Sequence, residues 1–155
     1  LKSWKTDEVL GGGLKNIVAI AAGASDGLGL GANARAALVT RGLDEIKLLG
    51  MGLGGNEKTF MGLSGMGDLM LSCTDDQSRN RLFGLSIGKG LSFKEAAALQ
   101  NGLPEGVHAI KTLVEKNIVT DKEPIMFAVY QVLYGGLDVS KVAEELMLRP
   151  IKGEL

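Results

Sequence analysis

Apolar residues recur along this chain at spacings of three and four, and the strict alternation that marks a β-strand is nearly absent. The stretch from residue 36 to residue 53 shows the pattern clearly, because one face carries small and apolar residues and the other carries Arg41, Asp44, Glu45 and Lys47. Arg41 and Glu45 stand four residues apart and can pair along one helix face. We therefore predict an amphipathic helix with its charged face in water.

Signals for the starts of helices divide the second half of the chain. Ser92 and Glu95 form a capping box that opens a short helix. Pro104 suits the first turn of the next helix, and Pro124 begins one so apolar that it should be buried. Asp138 is placed to cap a last helix. The whole pattern predicts an all-α domain of about seven to nine helices.

Composition agrees with one globular domain. The chain has 155 residues, of which 45% are hydrophobic, enough for one core and too many for intrinsic disorder. Its net charge of −1 indicates no basic surface for nucleic acid or an anionic membrane. No apolar run approaches the roughly 18 residues of a membrane span, so we expect no integral membrane segment. We predict a single helical domain over residues 1–155.

The metal-binding and redox-active residue types are scarce. Cys73 is the single cysteine and can form neither an internal disulfide nor a structural zinc site, which favours a reducing, cytoplasmic compartment. His108 has no cysteine or carboxylate at ligand spacing, so we predict a surface or packing histidine and no metal site. The chain opens at Leu1 without methionine, and we interpret it as a piece of a longer protein.

Glycine is the compositional outlier, with 23 residues. Two segments match a dinucleotide-binding fingerprint by letter, residues 50–55 and residues 27–32. That mechanism requires a strand before the first glycine, and the pattern before both segments predicts helix or no strand. We reject both as cofactor loops. The glycines instead indicate helices whose backbones approach closely, at a cost in helix propensity of up to about 1 kcal/mol each.

Lys15 is the first candidate for chemistry. It is the only basic residue between Lys5 and Arg35, and it lies in an otherwise apolar, glycine-rich run. A lysine against an apolar wall loses hydration, which lowers the pKa of its amine from about 10.4 toward neutrality and suits a general base or acid. The alternative is a lysine at a helix start whose ammonium reaches water.

A second polar cluster lies near residues 72–81, which we predict to form an irregular loop. It contains hydroxyls, amides and two arginines, Arg79 and Arg81, at the entry to a helix. Arginine forks, hydroxyl groups and N-terminal helix amides are what a phosphate monoester site uses. The alternative is Ser78 as a helix N-cap with solvated arginines. Asp68, just upstream, is either a buried carboxylate facing a lysine or a turn aspartate.

These segments together resemble one family, bacterial NAD(P)-dependent glycerol-3-phosphate dehydrogenase. The matching motifs are G-G-x-L-K-N at 11–16, S-D-G-L-G-x-G-x-N-A ending at 34, T-R-G-L at 40–43, G-x-G-D-L at 65–69, C-T-x-x-x-S-R-N at 73–80, E-G at 105–106, P-I at 124–125 and Y-x-V-L-Y at 130–134. The resemblance spans roughly residues 7–149. It covers only that family's helical C-terminal half, of the 6-phosphogluconate dehydrogenase C-terminal-like type, and implies an N-terminal Rossmann domain that is not in this sequence. Residues 1–10 would then be a remnant of the inter-domain connection.

The resemblance also implies roles for individual residues. The expected catalytic residues are Lys15, which would exchange the proton of the C2 hydroxyl, and Asp68. The expected substrate-binding residues are Lys15, Asp68, Thr74, Ser78, Arg79 and Asn80. The residues expected to contact the NAD or NADP cofactor from this side are Arg79, Leu103 and Glu105.

The parent protein implied by the resemblance interconverts glycerol 3-phosphate and dihydroxyacetone phosphate for phospholipid synthesis in the cytoplasm. It would act as a homodimer, and this chain alone should be inactive. One alternative is a non-catalytic helical module of the same fold that serves oligomerisation or phosphate binding. Another is a hydroxyacid dehydrogenase, which the Ser78-Arg79-Asn80 triplet disfavours because those substrates need a carboxylate site.

Overall fold

The computed structural model describes residues 13–52 and 75–148, and within them the fold has seven helices and no strand. The helices are α1 (Leu14–Gly27), α2 (Ala32–Gly52), α3 (Asp75–Gly88), α4 (Phe93–Ala98), α5 (Glu105–Glu115), α6 (Pro124–Leu133) and α7 (Val139–Leu148). The predicted all-α class is confirmed. None of these described helices is long and apolar enough to cross a membrane.

Local signals set several helix ends where the sequence predicts them. The Ser92 hydroxyl accepts a hydrogen bond from the Glu95 amide at 3.1 Å, and the Glu95 carboxylate accepts one from the Ser92 amide at 2.9 Å. Pro124 is the first residue of α6, and Asp138 accepts a hydrogen bond from the amide of the third residue after it. Pro104 differs slightly, since it is the N-cap of α5 and lies just outside its first turn.

Residues 75–81 are helical, so the predicted irregular loop is wrong for that part of the segment. They form the first half of α3, and Ser78 therefore lies inside this helix and is not its N-cap. The physical reason is tertiary: Phe83 is fully buried, and the glycines of α3 lie directly against α1. Packing of one face stabilises the helix although its first turns are polar. Residues 72–74 lie outside the described residues.

The core is built around α1. Every residue from Leu14 to Gly23 is buried, and the helix packs against α2, α3, α5 and α6. A helix that is apolar on nearly all sides is enclosed by its neighbours, as the unbroken apolar run requires. Because Lys15 belongs to the first turn of this helix, the core itself fixes the position of that side chain.

Glycines bring α1 and α3 together. A methyl group added at Gly84 would lie 2.8 Å from the carbonyl carbon of Ile20, and one added at Gly88 would lie 3.0 Å from the carbonyl carbon of Ala24. Since the paired residue numbers rise together on both helices, α1 and α3 run in the same direction. Two glycines of α1 meet the backbone of α3 equally closely. The predicted close approach of helix backbones is confirmed.

Glu45 is buried, so the predicted solvated face of α2 is wrong at this position. Its carboxylate accepts hydrogen bonds from the amides of Ile125 at 2.8 Å and Met126 at 3.1 Å, in the first turn of α6. The N-cap residue Glu123 makes no side-chain cap to α6, and Glu45 fills that role from a neighbouring helix. Burial raises the pKa of Glu45 to about 7 in spite of the two hydrogen bonds.

Candidate active site

Lys15 is fully buried, with an exposed fraction of 0%. Burial lowers the pKa of its ammonium group, because the charged form loses hydration in the protein interior. The alternative in which the ammonium reaches water from a helix start is wrong. The neutral amine of Lys15 is therefore more populated than that of a surface lysine, as a proton acceptor requires.

Three helices begin at the end of the bundle that holds Lys15. Lys15 lies in the first turn of α1, and Asn80 lies near the start of α3. Gly106, in the first turn of α5, contacts both neighbours: its amide donates to Asn80 Oδ1 at 2.9 Å, and a methyl group added to it would lie 3.0 Å from the carbonyl oxygen of Asn16. Helix N-termini present N–H groups and a partial positive charge. The first turns of α1 and α5 and the second turn of α3 lie at this end of the bundle, and helix N-termini of this kind can bind an anion.

The Asn80 side chain is fully buried and oriented by its contact with α5. Because Oδ1 accepts the hydrogen bond from the Gly106 amide, the Nδ2 group is the donor of the side chain. The contact also caps α5, whose own N-cap, Pro104, has no side-chain acceptor. Asn80 thus connects the start of α3 to the start of α5.

Arg79 reaches the turn that precedes α5. Its Nη2 group donates to the carbonyl oxygen of Gly102 at 3.1 Å and approaches that of Asn101 at 3.4 Å. In return, Gln100 Nε2 donates to the Arg79 carbonyl at 2.9 Å. This turn leads directly into Leu103, which is half-buried against the core, and Glu105 is exposed two residues later. Arg79 therefore contacts the turn that leads into Leu103 and Glu105, the other two residues expected to face a cofactor.

Arg81 does not join this group. Its Nη2 atom lies 2.9 Å from the Asp26 carboxylate, which also contacts Arg35 Nη1 at 3.2 Å. Asp26 follows Lys15 by eleven residues on α1, which corresponds to about 16 Å along the helix axis. Of the two arginines in the predicted phosphate cluster, only Arg79 is at the end of the bundle where Lys15 lies.

The remaining predicted site residues fall in different places. Ser78 is exposed in the first turns of α3, one residue before Arg79. Asp68 and Thr74 lie outside the described residues. His108 is exposed on α5, in agreement with its prediction as a surface histidine.

Two residues of the site were absent from the prediction, Asn16 and Gly106. Both are buried where α1, α3 and α5 meet. The sequence contains a signal for Gly106, because a glycine in the first turn lowers the stability of a helix. Its presence there suggests that another group lies close to its backbone. Asn16 directly follows Lys15 and is buried with it.

The two glycine fingerprints do not have the geometry of a dinucleotide loop. Gly27 is the last residue of α1, and Gly50 lies within α2. Neither follows a strand in the described structure, so neither presents the strand, turn and helix start that a pyrophosphate requires. The described parts of both segments agree with their rejection as cofactor loops, and residues 53–55 lie outside the described residues.

Comparison with known proteins identifies the relatives of this chain. Residues 8–144 match the family model described as NAD-dependent glycerol-3-phosphate dehydrogenase C-terminus. Proteins named glycerol-3-phosphate dehydrogenase (NAD(P)+) from Bartonella tribocorum and Halorhodospira halophila are 47% and 51% identical to it. Each match covers 94% of this chain and 44% of the relative, so the chain spans less than half the length of these curated proteins.

Solved structures give the same result. The crystal structure of glycerol-3-phosphate dehydrogenase from Coxiella burnetii superimposes with a TM-score of 0.78 at 46% identity, over 90% of this chain and 43% of that one. The Plasmodium falciparum glycerol-3-phosphate dehydrogenase superimposes with a TM-score of 0.67 at 25% identity, over 90% of this chain and 42% of that one. The chain belongs to the family of NAD-dependent glycerol-3-phosphate dehydrogenase C-terminal domains.

Proposed function

We propose that this chain is the substrate-binding and proton-transferring part of an NAD(P)-dependent enzyme that interconverts sn-glycerol 3-phosphate and dihydroxyacetone phosphate. The observation that supports this most strongly is the fully buried Lys15 at the end of the bundle where α1, α3 and α5 begin. A small phosphorylated alcohol needs an anion site close to a group that exchanges a proton. This arrangement offers both.

Lys15 is the proposed proton acceptor and donor. In oxidation its neutral amine takes the proton of the C2 hydroxyl while the hydrogen on C2 leaves as hydride, and in reduction its ammonium returns the proton to the ketone oxygen. The nicotinamide cofactor, when bound, supplies the acceptor or donor of that hydride. Proton acceptance requires the neutral amine, and the lowered pKa of Lys15 increases its fraction. Asp68 is proposed to lie beside the reacting hydroxyl.

The substrate phosphate is proposed to lie against the helix starts. Its expected contacts are Ser78, Arg79 and Asn80 on the first two turns of α3, with Thr74 as a further contact. The fixed orientation of the Asn80 amide supports this assignment, because a donor held by a neighbouring helix loses little conformational freedom when it binds. Arginine adds a planar fork that matches the geometry of phosphate oxygens.

An NAD or NADP cofactor would be bound mainly by a Rossmann domain, and this chain would complete the cleft. The edge formed by Arg79, Leu103 and Glu105 fits such a group, because it combines a guanidinium, an apolar side chain and an exposed carboxylate around one turn. These types of side chain can contact the phosphates, the rings and the hydroxyls of a dinucleotide. Arg79 would then contact substrate and cofactor from one position.

The proposal extends to the whole protein of which the chain forms part. We expect that protein to be a cytoplasmic homodimer that works in glycerophospholipid synthesis, with the Rossmann domain as the partner of this helical domain. Hydride transfer needs the nicotinamide held in line with C2, so the helical domain alone should be inactive.

The test uses the protein expressed from its complete reading frame. Oxidation of NADH and NADPH is measured with and without dihydroxyacetone phosphate. Lys15→Met should lower kcat by about 10²–10⁴-fold with the circular dichroism spectrum retained, because the proton-transfer group is lost. Lys89→Met is the matched control, since Lys89 is exposed in the turn after α3.

Two results would overturn the proposal. One is a Lys15→Met protein that turns over as fast as the wild type, which would remove the lysine from the chemistry. The other is a wild-type protein that oxidises neither nicotinamide with this substrate, which would favour the non-catalytic helical module.

A further inference from the structure

Tyr134 connects the end of α6 to the start of α5. It is the C-cap residue of α6, and its hydroxyl donates a hydrogen bond to the carbonyl oxygen of Val107 at 2.8 Å. Val107 is fully buried in the first turn of α5 and directly follows Gly106, whose amide donates to Asn80 Oδ1. The tyrosine hydroxyl therefore acts one residue away from the contact that orients the Asn80 side chain.

Side chains from two other helices hold the first turn of α5. Its N-cap residue, Pro104, makes no side-chain cap, and Glu105 at its first position is exposed. From α3, Asn80 accepts a hydrogen bond from the amide of the second helical residue. From the end of α6, Tyr134 donates one to the carbonyl oxygen of the third. The position of this turn therefore depends on both contacts.

Aromatic packing fixes the ring that carries this hydroxyl. The centroid of the Tyr134 ring lies 5.6 Å from that of Phe93 and 5.8 Å from that of Tyr130. Phe93 also meets Phe83 edge to face at 5.6 Å, and Phe83 is fully buried on α3, three residues after Asn80. Aromatic pairs are favourable at these distances. The row of rings joins the end of α6 to the segment of α3 that carries Asn80.

The phenol of Tyr134 keeps its hydrogen at neutral pH. Burial raises the pKa of this phenol from its ordinary value of about 10, and the nearby Glu115 adds to the shift. A carbonyl oxygen can only accept, so the protonated hydroxyl is the donor of this hydrogen bond. The bond to Val107 is therefore retained throughout the neutral pH range.

We propose that Tyr134 is a positioning residue for binding of the substrate phosphate, acting through the first turn of α5 and Asn80. This inference rests on the proposed function, in which Asn80 contacts that phosphate. The Tyr134 hydroxyl holds the Val107 carbonyl, and the adjacent Gly106 amide holds Asn80 Oδ1, which sets the direction of the Asn80 Nδ2 group. Without the hydroxyl this turn is held less firmly, and part of the advantage of a preoriented donor is lost.

The experiment measures reduction of dihydroxyacetone phosphate by the protein expressed from its complete reading frame. Tyr134→Phe removes the hydroxyl and keeps the ring. It should lower kcat/KM about threefold to tenfold, chiefly by raising KM, because a phosphate contact stabilises the bound substrate and the transition state alike. Tyr130→Phe is the matched control and should stay within about twofold of the wild type, because the Tyr130 hydroxyl makes no hydrogen bond within the part of the chain that the structure describes.

A double variant tests whether Tyr134 acts through Asn80. In an Asn80→Ala background the phosphate contact is already lost, so Tyr134→Phe should change kcat/KM by less than about twofold. Gly106→Ala, which displaces the same amide, provides the background if Asn80→Ala does not fold. Losses that multiply would show that Tyr134 acts independently of Asn80 and would overturn the proposal, as would a Tyr134→Phe protein with an unchanged KM.

Hydrogen exchange followed by mass spectrometry on the same proteins gives a readout that does not depend on turnover. Tyr134→Phe should speed exchange of the amides in the first turn of α5 and leave the core amides of α1 protected. The proposal is wrong if this turn exchanges as slowly as in the wild type, or if all helices lose protection together. A wild type that does not reduce dihydroxyacetone phosphate overturns the proposed function and the phosphate role with it, whereas faster exchange in α5 would still show that Tyr134 holds the turn.

Discussion

Replacing Gly84 with alanine tests whether glycine sets the spacing between α1 and α3. The added methyl group would lie 2.8 Å from the carbonyl carbon of Ile20 and 3.0 Å from the amide nitrogen of Ala24, and closer still to the Ile20 carbonyl oxygen. Ordinary contacts of a Cβ atom lie at 3.4–4 Å. The opposing atoms are helix backbone and cannot rotate aside, so the two helices would have to separate or shift.

The loss of folding free energy in Gly84→Ala can be estimated from the packing around the added methyl group. An extra methyl group in a packed interior costs about 1–3 kcal/mol, and α1 cannot move alone because it also packs against α2, α5 and α6. The better helix propensity of alanine offsets about 1 kcal/mol of this. We place Gly84→Ala near the upper end of the range and expect a net loss of about 2 kcal/mol. That is a large part of the roughly 5–15 kcal/mol by which a domain is stable.

Urea denaturation followed by circular dichroism measures the free energy of unfolding and its dependence on urea. Gly52→Ala is the matched control, because Gly52 ends α2, is exposed and has no atom of the described residues within 4 Å of an added methyl group. It should keep or slightly raise stability. If Gly84→Ala unfolds at the same urea concentration as Gly52→Ala, the close approach of α1 and α3 does not depend on glycine, and the reasoning fails.

Three further predictions follow from other contacts. A pKa of about 7 means that the folded protein favours the protonated form of Glu45. The free energy of unfolding of the wild type should therefore fall as the pH rises from 4.5 through 7, by up to about 3 kcal/mol relative to Glu45→Gln. Thermal melts of both proteins at each pH measure this, and a difference between them that does not change with pH would contradict it. Gly106→Ala should displace the Asn80 amide and lower kcat/KM for dihydroxyacetone phosphate in the complete protein by about tenfold or more, and an unchanged value would remove this contact from the site. Ser92→Ala should cost about 1 kcal/mol in urea denaturation by removing the cap of α4, whereas Lys94→Ala beside it should be neutral.

The sequence was sufficient to predict the helical class and an apolar environment for Lys15, but it left open whether the ammonium group reaches water. An unbroken run of apolar and small residues is typical of an enclosed helix, and the structure shows that Lys15 is buried with it. The burial of Glu45 could not be predicted from the local pattern. The period of three and four places it on the polar face of α2, and no local pattern reveals that α6 begins beside it and needs an acceptor.

The start of α3 was mispredicted for a related reason. Its first turns are polar and resemble a loop in composition, and the stabilising contact comes from α1, about 60 residues earlier. The meeting of Asn16, Asn80 and Gly106 likewise depends on how three helices are arranged in space. The family motifs indicated most of these residues, and only the fold shows which of them touch.

The parallel contact of α1 and α3 connects the glycines to the proposed chemistry. Lys15 and Asn80 lie at the same end of these two helices, and Gly84 lies one turn further along α3, where its contact with Ile20 fixes how far one helix can slide along the other. A slip of one residue would move Asn80 relative to Lys15 by about 1.5 Å. A misplacement of that size can cost a reaction about a hundredfold in rate. Glycines that contact no ligand would therefore affect turnover. Each of them lowers helix stability, and in exchange it fixes the register between α1 and α3.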